Sequence, residues 1–201
     1  NVVRKKVTQL VKDTNKKIIV SISTKKNMNK GEIKEIKEIN DFLVSSNRGF
    51  VKLSVSISTK YLVQEFEPKT SSYEERVALL KKIKKANIPT SINLKPLLPQ
   101  VPLEEYIEII KDTVNICDTY LVGSLYIDEK TKFGSDCKKN YSDLTIVKNV
   151  GWLPSDNNWL AIEDKTKETE IERYISSLSG SVFQDDIAVI THLHNNICED
   201  C

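Results

Sequence analysis

Glycine is scarce in this 201-residue chain: six are present, and no two lie within ten positions of each other. That spacing excludes GxGxxG and Walker-type phosphate cradles, which need several glycines in one short loop. Long apolar runs are missing as well. Nothing approaches the roughly 18 consecutive apolar residues of a membrane helix, and no apolar core near the start suggests a signal peptide. No membrane partner is therefore expected, and a cytoplasmic location is. Charge of one sign is also lacking, because 30 Lys and Arg face 28 Asp and Glu, leaving +2. Such a balance gives no strong electrostatic pull toward a polyanion. The four cysteines, Cys117, Cys137, Cys198 and Cys201, form no small-scaffold pattern in a chain large enough to bury a core, so reduced thiols are expected. The only methionine is Met28 and the first residue is Asn1, which leads us to expect further sequence upstream.

What is present is an alternation of two periods. Val3, Val7, Leu10 and Val11 recur at helical spacing, followed by a strand with Ile18, Val20 and Ile22 on one side and Ser21 and Ser23 on the other. A helix beginning near Lys30 places Ile33, Ile36, Ile39 and Leu43 on one stripe. Residues 50–59 give the clearest strand pattern, with Val51, Leu53, Val55 and Ile57 alternating with Lys52, Ser54, Ser56 and Ser58. Ser72 and Glu75 make a capping box ahead of a helix reaching Asn87. Strands are then expected over 90–98 and 119–127, with a helix opened by Pro102 between them. Beyond Asp128 the regularity weakens. There we expect a short helix ending near Asn149, a loop over 152–159, a helix over 167–178 and a strand over 187–192.

Strands separated by helical stretches imply parallel pairing and an α/β fold, here a partial (β/α) barrel. We expect residues 1–128 to form the barrel portion and 129–201 an irregular C-terminal extension. Parallel strands normally read as continuous apolar runs, yet each of these keeps a polar side. If helices cover the apolar sides, then Ser21, Ser23, Ser54, Ser56, Ser58, Ser91, Asn93, Lys95 and Ser124 converge on the inside of a curved sheet, around a ligand-sized hollow. An antiparallel sheet with one wet face is the plainer alternative, but it calls for short turns rather than helical connections.

Over residues 15–127 the order of these pieces resembles the later part of a radical S-adenosylmethionine barrel, nearest to its spore photoproduct lyase-like branch. The resemblance rests on Thr24 and Lys25 after a strand, on Ser56, Ile57 and Ser58, and on Glu67, Pro68 and Arg76. It continues with Ala86, Asn87, Ile88 and Pro89, then Pro96 and Pro99. The resemblance implies S-adenosylmethionine held over a 4Fe-4S cluster, with a separate electron donor protein. Lys25 would meet the methionyl carboxylate, Ser56 or Ser58 the ribose, and Asn93 completes the implied cofactor-binding set. A nucleic-acid substrate follows from the family branch alone, and the substrate itself stays open. Two departures stand out. No CxxxCxxC triplet occurs in these residues, so the cluster ligands are expected upstream, and this chain alone is expected to be inactive. Lys69 and Asn87 stand where the family has glycine, so both turns can differ in backbone conformation.

Other residues carry rival readings. Lys95 could serve a Schiff-base lyase as an amine nucleophile, or simply extend to the barrel mouth. The barrel could also be a non-catalytic binding or scaffolding module. Glu67 and Arg76 read as a structural ion pair. His192, His194, Cys198 and Cys201 have a composition suited to zinc but not a finger's spacing, and two histidines at i and i+2 would share one strand face. Lys81, Lys82, Lys84 and Lys85 read as a solvated helix face.

Overall fold

The computed structural model describes residues 2–148 and 159–199. Its first part runs α1 (Val2–Asp13), β1 (Ile18–Thr24), α2 (Lys30–Ser45), β2 (Gly49–Ser56), the single turn α3 (Val63–Phe66), α4 (Tyr73–Lys85), β3 (Thr90–Asn93), α5 (Leu103–Thr113) and β4 (Thr119–Leu121). Local signals set these boundaries. Asn29 caps α2 by accepting from Gly31 N and Glu32 N, while the Glu32 carboxylate accepts from Asn29 N, a full capping box. Ser72 and Glu75 form the expected capping box on α4. Asn87 turns the chain after α4 at φ +53°, so an asparagine holds a left-handed conformation that glycine favours. At Gly49, with φ +133°, an added Cβ would lie 1.9 Å from the Ile18 carbonyl oxygen, so only glycine lets β2 start beside β1.

The second part runs β5 (Leu125–Asp128), α6 (Lys132–Asn140), a 3-10 turn, β6 (Thr145–Lys148), β7 (Trp159–Ile162), α7 (Lys165–Ser177), β8 (Ser181–Phe183) and α8 (Asp186–Glu199). Five strands form one parallel sheet in the order β1-β2-β3-β4-β8, and β5-β7-β6 form a separate antiparallel sheet. The parallel α/β fold is therefore as the sequence implied, and β8 carries the sheet across the expected boundary at 128.

Helices cover one face of the parallel sheet. Leu53, Val55, Ile57, Ile92 and Tyr120 pack against Leu79, Leu80 and Ile83 of α4, Ile109 and Ile110 of α5, and Ile171 and Ile175 of α7. Val7, Ile39, Leu43 and Val51 form a smaller cluster under α1 and α2. On the opposite face, Phe50 and Leu121 pack with Val189 and Leu193 of α8.

Five expectations are corrected. β2 ends at Ser56 rather than at residue 59, and β3 ends at Asn93 rather than 98, before the cis Lys95-Pro96 bond. The strand expected over 119–127 is two strands in two sheets, parted around Gly123, where the Lys95 side chain lies across the backbone. The short helix expected to end near Asn149 is α6 and a turn, and its last part is β6; the 152–158 portion of the expected loop lies outside the described residues. The segment 187–192 is helix. A short apolar run there satisfies both periods, and burial of Val189 and Leu193, four residues apart, selects the helical one.

Candidate functional site

The polar face that the sequence isolated is real, but it is used in two ways. Ser23, Ser54 and Ser91 stand side by side across β1, β2 and β3, and Thr119 stands beside Ser181. Ser54 and Ser91 share a hydrogen bond of 2.8 Å and are fully buried, so this row is sheet interior rather than a ligand surface. Towards the starts of the strands, α8 covers the face. Lys52, wholly buried, donates to Asp186 Oδ1 at 2.5 Å, and Ser21 donates to Asp186 Oδ2 at 3.3 Å. The expected convergence on one open hollow is thus corrected over this half, which a helix fills, while Ser21 and Ser23 on the edge strand are exposed.

At the carboxyl ends of the strands the groups are arranged differently. Glu67 accepts from Lys25 Nζ and Ser58 Oγ, each at 2.5 Å, and pairs with Arg76 Nη1 at 2.6 Å. Arg76 is fully buried and also donates to the carbonyls of Ser56 and Ser71 and to Thr70 Oγ1. Burial pushes the Glu67 carboxyl up, but the bonds from Lys25, Ser58 and Arg76 outweigh it and hold the group below the usual glutamate range. This network ties the ends of β1 and β2 to the start of α4, matching the structural reading of Glu67 and Arg76.

Ser56 and Asn93 are neighbours in the β2–β3 ladder. Asn93 is only 8% exposed, and its Oδ1 is buried without a hydrogen-bond partner. A native fold rarely strands such an acceptor, so a missing donor is the natural account. Among the described residues the Ser56 hydroxyl has no hydrogen-bond partner, its carbonyl being the group that Arg76 binds. Two residues beyond Asn93, the Lys95 stem passes over Gly123, where a Cβ would come within 3.3 Å of Lys95 Cδ. Its ammonium reaches the Gln184 carbonyl at 3.5 Å. Burial lowers the Lys95 proton affinity, opposed by the charges of Asp186 and Asp185. Ser124 donates to Glu163 at 3.5 Å, a carboxylate also paired with Lys148 and Lys165.

Of the implied cofactor residues, Lys25, Ser56, Ser58 and Asn93 therefore share one end of the sheet, with Lys25 and Ser58 already bound to Glu67. The residues do not fit an iron–sulfur cluster. Cys117 is buried with its thiol pushed up to about 12 by burial, and burial also raises Cys137. Nor do the histidines form a zinc site. On α8, i and i+2 point to roughly opposite sides. His192 packs on Phe183, and His194 lies 3.1 Å from Lys17. Among the described residues no group of three metal-ligating side chains exists, and the Cys198 side chain and Cys201 lie outside them. Asp186 was not singled out by the sequence, because its partner Lys52 is 134 positions away.

A parallel sheet backed by helices defines an α/β fold, consistent with a partial barrel, and under-used polar side chains stand at the carboxyl ends of its strands. The family model for spore photoproduct lyase matches residues 6–132, and the chain belongs to that family. Two solved structures of spore photoproduct lyase, a tyrosine-to-phenylalanine and a cysteine-to-alanine variant, share 16% identity with it at TM-scores of 0.58 and 0.57. Each alignment covers 90% of this chain and 54% of that one. A cysteine-to-alanine variant with dinucleoside spore photoproduct aligns at a TM-score of 0.53 and 15% identity, over 88% of this chain and 52% of its own. The chain thus spans about half the length of the solved chains it matches. None of the curated proteins matches it.

Proposed function

We propose that residues 1–201 are the later strands of a radical S-adenosylmethionine enzyme acting on a nucleic-acid photoproduct, with the 4Fe-4S cluster held by cysteines outside these residues. The observation that carries this reading is the unpartnered Asn93 Oδ1 at the strand ends of a chain in the spore photoproduct lyase family. One solved relative carries dinucleoside spore photoproduct, which supports the substrate class. β1 ends the strand order, and its Ile19 is 38% exposed, so a further parallel strand has a place beside it.

S-adenosylmethionine, held with a cluster and an electron donor protein, would supply hydrogen-atom abstraction from the substrate. The work of this chain is to bind and orient. Asn93 Oδ1 accepts from the cofactor, and the Ser56 hydroxyl reaches the ribose. The Lys25 side chain, 38% exposed, has three donors and can keep Glu67 while giving a second N–H to the methionyl carboxylate. Ser58 is committed to Glu67 and positions Lys25 through it.

The test is to express the reading frame with its native upstream sequence, reconstitute it anaerobically and measure iron and deoxyadenosine release. About four iron atoms per chain are expected, with S-adenosylmethionine affinity lowered in Asn93→Ala and Lys25→Ala. An iron-free product, or unchanged affinity in both variants, overturns the reading. A Schiff-base lyase would instead need Lys95 as a neutral amine, a state that burial favours and Asp185 and Asp186 oppose; a borohydride-trapped adduct with a carbonyl substrate is its signature.

A further inference from the structure

Half-buried lysines in this molecule hold their charge with partners. Lys25, Lys37, Lys52, Lys60, Lys148 and Lys167 each lie within 4 Å of a carboxylate. Lys82 has two oxygen acceptors, at 3.0 and 3.2 Å. Lys95 differs from all of these. It is half-buried, and its ammonium has one hydrogen bond, to the Gln184 carbonyl at the outer limit of 3.5 Å. An ammonium with one long hydrogen bond and two of its three donors undirected by the protein keeps capacity for a further acceptor.

The neighbouring carboxylates are already engaged. Asp186 accepts from Lys52 and Ser21, and Asp185 Oδ1 accepts from Ala188 N at the start of α8. Lys52 and Asp186 form an ion pair, whereas among the described residues Lys95 has no carboxylate within 4 Å and meets Asp185 and Asp186 only through space. The Lys95 stem is held in place by its passage over Gly123, where any side chain would push against it. A compact cation fixed on a glycine platform, two residues from the unpartnered Asn93, is a construction for receiving an oxyanion.

We propose that Lys95 is a substrate-binding residue that takes a phosphate oxygen of the nucleic-acid substrate, and that Gly123 is the position that lets it do so. The assignment rests on the nucleic-acid reading above and goes beyond it, because it names the group recognised and the pair of residues recognising it. It also separates Lys95 from the cofactor residues, so that loss of Lys95 weakens substrate binding while S-adenosylmethionine binding is kept.

The experiment uses the full reading frame, reconstituted anaerobically. Equilibrium binding is measured for two probes: dinucleotide spore photoproduct, with its bridging phosphodiester, and the dinucleoside form without it. Lys95→Met is expected to weaken the dinucleotide about tenfold and leave the dinucleoside unchanged, with Lys95→Arg recovering most of the loss. Gly123→Ala is expected to reproduce the Lys95→Met pattern with the charge still present. S-adenosylmethionine affinity and the thermal midpoint should stay at wild-type values in all three variants. Equal weakening of both probes, or no weakening of the dinucleotide, overturns the proposal. Wild-type protein that binds S-adenosylmethionine but neither probe removes the nucleic-acid reading and the Lys95 assignment with it. Protein that binds both probes normally in Lys95→Met leaves the nucleic-acid reading standing and sinks this one.

Discussion

The two ends of one sheet face are built on opposite principles. Near the strand starts, Phe50 and Lys52 lie under α8, and the buried cation Lys52 has its carboxylate. Near the carboxyl ends, Asn93 keeps a buried acceptor unpartnered and Lys95 an ammonium with one long hydrogen bond. The Glu67–Arg76 network stands between these extremes, its charges paired but Lys25 partly exposed. The difference shows where hydrogen-bonding capacity is left over: Lys52 near the strand starts has its carboxylate, whereas Asn93 Oδ1 has no partner and Lys95 has one long bond.

Breaking the satisfied groups should cost stability in proportion to burial. Arg76→Ala leaves Glu67 buried without its main partner and should cost about 3–5 kcal/mol, read from the urea midpoint. Asp186→Ala strands Lys52 beneath α8; because Asp186 is itself 46% exposed, the loss should be smaller, about 1–2 kcal/mol, and the double change with Lys52→Met should restore much of it. A weaker effect should follow pH. The folded pKa of Glu67 lies below its unfolded value, so its contribution is complete above about 4.5 and is lost as pH falls through the depressed folded value. Thermal midpoints taken from pH 6 to 2 should fall less steeply in Glu67→Gln than in wild type. The smallest effect should come from the open end, where Asn93→Ala shifts the unfolding midpoint by less than about 1 kcal/mol, since no hydrogen bond is lost. A large loss there would erase the contrast between the two ends.

The parallel α/β fold was legible because Val51 to Ile57 alternate cleanly and because Ser72 and Pro102 mark helix starts. The order of Lys25, Ser56, Glu67 and Arg76 carried the family resemblance, and the family match over 6–132 agrees with it. Less was legible after Asp128. Period alone could not separate strand from helix over 187–192, and nothing local told the chain to divide residues 119–127 between two sheets. The shared strand face expected of His192 and His194 is lost for the same cause: on a helix the two diverge.

The sequence by itself determined which side chains alternate and where helices begin, because these follow from spacing along one chain. Only the tertiary structure decided which part of the polar face is closed. That choice depends on α8 returning across the sheet to set Asp186 on Lys52, 134 positions earlier. Contacts at such separation are selected by the packing of the whole core and leave no periodic mark in the local sequence.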